Sequence, residues 1–160
     1  MKVAIVMGSI SDKDLAMKVT NILDRFGVDY ELRVISAHRT PHTAFEFAEK
    51  AEERGIEIII AIAGKAAHLA GIIAGITPLP VIGIPAKSST MDGLDSLLSV
   101  VQMPKGVPVA TVAIDGGENG GLLAVQMLSL KYPELRNKLK EYKREMAEDV
   151  ARMDKTISEN

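Results

Sequence analysis

Apolar residues follow two patterns along this chain. Short, nearly unbroken runs recur at Lys2–Met7, Tyr30–Ile35, Glu57–Ala63, Val81–Ile84 and Val107–Ile114, and each leads through a turn into a stretch with apolar positions three or four apart. An unbroken run marks a strand covered on both faces, and three-to-four spacing marks a helix with one buried side. The alternation predicts an α/β fold: a five-stranded parallel sheet between two layers of helices.

Ser11 to Phe26 reads as the first helix, with Leu15, Val19, Ile22, Leu23 and Phe26 on its buried side and Gly27 placed to end it. Pro41 suits the first position of a second helix reaching Gly55, whose buried side is Ala44, Phe45, Ala48 and Ala51. A short Ala- and Gly-rich helix follows from Ala66 to Gly75, and another at Gly93–Gln102 precedes the loop Met103-Pro104-Lys105-Gly106. A fifth runs from Gly116-Gly117 to about Lys131, and the last from Pro133 to about residue 155. Leu135, Leu139, Tyr142, Met146, Val150 and Met153 form a narrow apolar stripe on that last helix, between charged faces. The stripe suits either a helix closing its own domain or one lying on a neighbouring subunit.

Length and composition narrow the function. The 160 residues suit one domain, 1–160. A net charge of −2 supplies no basic field for nucleic acid, and the apolar runs are too short to cross a bilayer. The absence of cysteine removes disulfides, thiolate nucleophiles and cysteine-ligated metals. The chain enters a strand within two residues of its start, without the order of a signal peptide, so a cytoplasmic protein is expected.

In a sheet of strand order 2-1-3-4-5, ligands bind beyond the carboxyl ends of the strands, where the order reverses between strands one and three. The loops brought together there read Gly8-Ser9-Ile10-Ser11-Asp12, Ser36-Ala37-His38-Arg39-Thr40-Pro41 and Gly64-Lys65-Ala66-Ala67-His68. A glycine-serine turn feeding a helix suits an anion, and Arg39 with Ser9 and Ser36 can make charge-assisted bonds to a phosphate. Asp12, an acceptor only, suits ribose hydroxyls. His38 is the candidate acid–base, since imidazole titrates near neutral pH, while His68 suits either a role beside it or a bond to a carbonyl. Lys65 suits an anion or a carboxylate, because a lysine merely solvated at a helix N-terminus is unfavourably placed. His42 lies four residues past His38, but Pro41 intervenes and no carboxylate or cysteine joins them, so no metal is expected.

These motifs resemble a known family. Val-Met-Gly-Ser-x-Ser-Asp at 6–12, Ser-Ala-His-Arg-Thr-Pro at 36–41, Ala-Ala-His-Leu at 66–69, and Asp95-Ser-Leu through Val100-Val-Gln-Met-Pro to Gly106-x-Pro108 are similar to the N5-carboxyaminoimidazole ribonucleotide mutases, also described as the catalytic subunit of phosphoribosylaminoimidazole carboxylase. The resemblance implies a flavodoxin-like sheet and a carboxylate moved from the exocyclic nitrogen to ring carbon C4 of an imidazole ribonucleotide. It implies Ser9, Ser36 and Arg39 on the 5′-phosphate, Ser11 and Asp12 on the ribose, and His38 as proton shuttle. Gly8, Gly64, Lys65 and His68 complete the expected site. It also implies no cofactor or metal, and an octamer in which neighbouring subunits help to complete each site.

The chain departs from the family at Lys65, where the mutases usually carry a second glycine, and a basic residue there is similar to related carboxylases that use free carbon dioxide. Direct carboxylation of aminoimidazole ribonucleotide is therefore the alternative activity. A nucleotide-binding module of flavodoxin type without catalysis is the alternative from another class.

Overall fold

Ile, Val and Ala fill β1 (Lys2–Met7), β3 (Ile58–Gly64) and β4 (Val81–Ala86) because helices cover both faces of these central strands. The computed structural model describes residues 1–89 and 91–159. With β2 (Asp29–Val34) and β5 (Ala110–Thr111), these strands form a parallel sheet in the order β2-β1-β3-β4-β5, as the sequence predicts. Met7 pairs with Val34 on one side and Ile62 on the other, which brings the loops after the first three strands out at one edge.

One helical layer comprises α2 (Pro41–Glu49), α3 (Leu69–Ala74) and α4 (Leu94–Val101). It shares a core with the sheet in which Ala44, Phe47, Leu69, Ile73 and Val100 meet Ala4, Val6, Ile59 and Ala61. Gly83 of β4 makes this packing possible: a Cβ there would lie 2.3 Å from Cγ1 of Val100 and 3.0 Å from Cγ1 of Val109. The opposite face carries α1 (Lys13–Phe26) and the start of α5 (Gly117–Leu128). A Cβ on Gly120 would meet Ile84 of the sheet at 2.5 Å, and one on Gly121 would meet Ile22 of α1 at 3.0 Å.

Several boundaries and one buried residue differ from the sequence reading. Phe45 is 52% exposed and Phe47, at 4%, takes the core position. Ala44, Phe47 and Ala48 share one helical side, and Phe45 lies about 100° round from Ala44. The Arg54 guanidinium lies over the Phe47 ring face, 4.5 Å from its centroid. The second helix ends at Glu49 and not at Gly55, because Lys50 N–H is shared between the carbonyls of Glu46 and Ala48 and a 3-10 turn at Glu52–Arg54 follows. The fifth strand shrinks from Val107–Ile114 to two residues. Its neighbour β4 turns the Gly83 and Pro85 carbonyls toward it, accepting from Val112 and Asp115, but Pro85 has no N–H to return.

The chain divides into two units, Met1–Val125 and the segment from Gln126 onward. The second is dominated by α6 (Pro133–Ser158), whose faces pair their own charges, as in Arg144 with Glu148 at 3.5 Å and Lys155 with Glu159 at 3.5 Å. Met146, Val150, Met153 and Ile157 stand exposed in a row along it. Among the described residues no helix is long and apolar enough to cross a membrane.

Candidate active site

The loops after β1, β2, β3 and β4 enclose a cleft of about 580 Å³ at the carboxyl ends of the strands, a size that suits a small molecule. Gly8, Ser9, Ser11, Asp12, Ser36, His38, Arg39, Gly64 and Lys65 all line it. Nine of the ten site residues expected from sequence are thus brought to one place. His68, the tenth, lies behind the lining and reaches the cleft through His38.

The β1 loop is held by its own polar groups. Gly8 extends the sheet by donating its N–H to the Ile62 carbonyl at 3.0 Å. Ser9, in extended backbone, caps a 3-10 turn at Ile10–Asp12 by accepting the Ser11 N–H at 3.3 Å, so α1 proper begins only at Lys13. As an acceptor in that bond, the Ser9 hydroxyl keeps its proton for a ligand. The Asp12 side chain makes no capping bond and is half-buried beside the cleft. Burial raises its pKa above the ordinary carboxylate value, and the nearby charge of Asp115 adds to the rise. Hydrogen bonds from the Ser9 backbone and the Ser11 hydroxyl oppose it.

Arg39 ties the first two loops together. Its Nη2 donates to the Gly8 carbonyl at 3.1 Å and its Nε to Ser36 Oγ at 3.3 Å, while its backbone N–H donates to the same Oγ at 3.2 Å. Ser36 accepts both bonds and also keeps its own proton. The guanidinium and the two hydroxyl donors are chemically able to bind a tetrahedral anion together. Thr40 fixes the loop from behind: its hydroxyl donates to the Ser36 carbonyl at 2.9 Å and accepts the Ser36 N–H at 3.1 Å. The sequence reading gave Thr40 no role, although threonine before a helix is a usual cap. Here it reaches back into the loop and makes no cap bond to α2.

His38 Nε2 and His68 Nδ1 lie 2.9 Å apart, with the rings at 84° and their centroids 5.0 Å apart. One proton occupies that bond, so each ring constrains the other's tautomer. The bond leaves Nδ1 of His38 as the ring nitrogen with no partner among the described residues. His68 thereby bonds a side chain and not the carbonyl that was the other expectation for it.

The β3 loop turns tightly before α3. Lys65 adopts a left-handed backbone, φ 56°, and its carbonyl accepts the Ala67 N–H at 2.8 Å. This turn delays α3 to Leu69. Lys87 and Ser88, after β4, also line the cleft and were missed. The signal was available, since the same strand order places the β4 loop beside the β3 loop. Both are partly committed within the protein: Lys87 Nζ lies 3.3 Å from Asp92, its N–H donates to Asp115, and the Ser88 hydroxyl donates to Asp95 at 3.1 Å. The Met103–Gly106 loop contributes no lining residue, and Met103 packs instead on Gly71 of α3. His42 stands at the start of α2, and among the described residues no three metal-binding side chains gather.

Comparison with known proteins places this cleft in a family. The family model described as AIR carboxylase matches residues 2–149. The chain belongs to the AIR carboxylase family. A protein of Pyrococcus horikoshii named N5-carboxyaminoimidazole ribonucleotide mutase is 57% identical over 157 residues, covering 98% of this chain and 89% of its own. One of the same name from Thermotoga maritima is 58% identical, covering 93% and 87%. The crystal structure of Treponema denticola PurE aligns with a TM-score of 0.87 at 30% identity, over 97% of each chain. The similarity to this family covers every loop of the cleft.

Proposed function

We propose that this protein interconverts N5-carboxyaminoimidazole ribonucleotide and 4-carboxy-5-aminoimidazole ribonucleotide, a step of purine biosynthesis carried out in the cytoplasm. The observation that carries this reading is one cleft holding an anion subsite, a ribose-suited carboxylate and an imidazole. It occurs in a chain whose relatives bear the mutase name.

In this reading Arg39, Ser9 and Ser36 hold the 5′-phosphate, with Ser11 and Asp12 on the ribose. The carboxylate leaves the exocyclic nitrogen as carbon dioxide, and the electron pair left on nitrogen takes a proton from His38. Carbon C4 of the ring then attacks the carbon dioxide, and the proton it loses returns to His38. No proton is consumed, so one imidazole serves as acid and then base. If His38 donates its Nε2 proton to His68, Nδ1 is the atom that exchanges protons with the substrate. Carbon dioxide lost to water would end the reaction, and Ala63, Ala66 and Leu69 give the cleft an apolar wall suited to retaining it. Further copies of the chain, in an octamer, cover the exposed row on α6 and meet the Met103–Gly106 loop.

One second reading, carboxylation of aminoimidazole ribonucleotide by free carbon dioxide, follows from the likeness of a basic residue at position 65 to related carboxylases. Supplying the N-carboxylated nucleotide, or aminoimidazole ribonucleotide with bicarbonate, at low carbon dioxide separates the two by which is consumed. His38→Asn tests catalysis itself: turnover should fall at least about 100-fold with nucleotide affinity retained. Unchanged turnover would remove His38 from the chemistry.

A further inference from the structure

The β3 and β4 strand ends carry a feature that phosphate and ribose recognition do not use. Gly64 pairs with Ala86 across the two strands, so Lys65 and Lys87 emerge side by side at the edge of the cleft. Lys87 is engaged by Asp92 and Asp115. The ammonium of Lys65, an exposed residue that lines the cleft, has no hydrogen bond or ion pair with any described residue. It also occupies a left-handed backbone, φ 56°, that favours glycine. A strained lysine with an uncommitted ammonium, facing a cleft, is the pattern of a residue whose partner is the ligand.

The position selects what that partner is. Arg39 bonds to Gly8 at the end of β1 and to Ser36 after β2, so the tetrahedral-anion subsite lies on the β1–β2 side. Lys65 stands at the end of β3, one or two strand spacings away, roughly 5–10 Å. A second negative group, at the opposite end of the same ligand from the phosphate, would fall there. His68, bonded to His38, lies three residues beyond Lys65, which puts the second anion beside the imidazole pair.

We infer that Lys65 binds the carboxylate of the nucleotide and makes the cleft select carboxylated over uncarboxylated imidazole ribonucleotide. The inference rests on the nucleotide reading above and adds to it a specificity residue on the β3 loop. The ammonium is paired when the carboxylate is attached to nitrogen or to C4.

Titration calorimetry on wild-type, Lys65→Met and Lys65→Gly proteins tests this with two ligands, 4-carboxy-5-aminoimidazole ribonucleotide and 5-aminoimidazole ribonucleotide. Lys65→Met keeps most of the stem and the backbone strain while removing the charge. Both variants should bind the carboxylated nucleotide about tenfold more weakly, as expected for one charge-assisted contact, and the uncarboxylated nucleotide unchanged. Lys65→Gly should in addition melt at a higher temperature than Lys65→Met, which verifies that both are folded. Equal losses for the two ligands, or none for the carboxylated one, would overturn the assignment and leave the nucleotide reading intact. Wild-type protein that binds neither nucleotide would overturn both.

Discussion

Asp12, the residue proposed for the ribose, is kept at a cost to stability. Burial, followed by the like charge of Asp115, raises its pKa, so the native state binds its proton more tightly than the unfolded chain does. Stability from this group is therefore greatest below the unfolded value of 3.8 and is lost as pH rises through the raised folded value. At neutral pH the ionised carboxylate is a liability, and Asp12→Asn should raise Tm by about 2 °C. That gain should vanish in acid, where the wild-type side chain is protonated in both states. Ribonucleotide affinity should meanwhile fall about tenfold, because a charged acceptor is lost. Melting curves at neutral and acid pH, with calorimetry for the ligand, check both; a variant less stable at neutral pH contradicts the sign. Residue chemistry of this kind is legible in sequence as candidates: a carboxylate, an arginine and a histidine in loops after strands. What sequence leaves open is the pairing. Thirty residues separate His38 from His68, and nothing local links them.

Among the elements, β4 depends on a position where only glycine fits. Gly83→Ala should destabilise the protein by about 1–3 kcal/mol, since its Cβ would overlap Val100 of α4 while the strand is held on both sides. A lowered urea midpoint with unchanged slope is the expected result, and an unshifted midpoint would show that α4 yields freely. The edge strand β2 is treated differently. Burial works against ionisation of its Glu31, but hydrogen bonds from Arg33 and Lys2 and the charge of Arg54 and Lys2 hold its pKa below the ordinary value. That contribution is present above the unfolded value of 4.5 and fades as pH falls through the lowered one. Periodicity located all five strands and six helices, because burial on one or two faces leaves its own period in the chain. It misplaced ends and the Phe45–Phe47 choice, because two apolar residues two positions apart on a helix compete for one side, and Phe47 is the one that shares it with Ala44 and Ala48. The fifth strand was overextended because the missing donor belongs to Pro85 on another strand.

At the scale of the whole molecule, the exposed row on α6 asks for cover. Met146, Val150, Met153 and Ile157 recur at helical spacing, and Val150 is 64% exposed. Sedimentation should give a particle of about eight chains of 17.2 kDa each, and Val150→Asp should yield smaller species that remain folded. A wild-type protein that sediments as one chain would refute the octamer. Sequence by itself determined the layer order, the strand order and which three loops meet at the cleft, because these follow from period, turn residues and the rule that ligands sit where a parallel sheet reverses its order. Tertiary structure alone decided that His68 bonds His38, that Arg39 bridges Gly8 and Ser36, and that Lys87 and Ser88 join the cleft. Each depends on distances between residues far apart in the chain, set by how helices seat on a twisted sheet, and no local pattern encodes those distances.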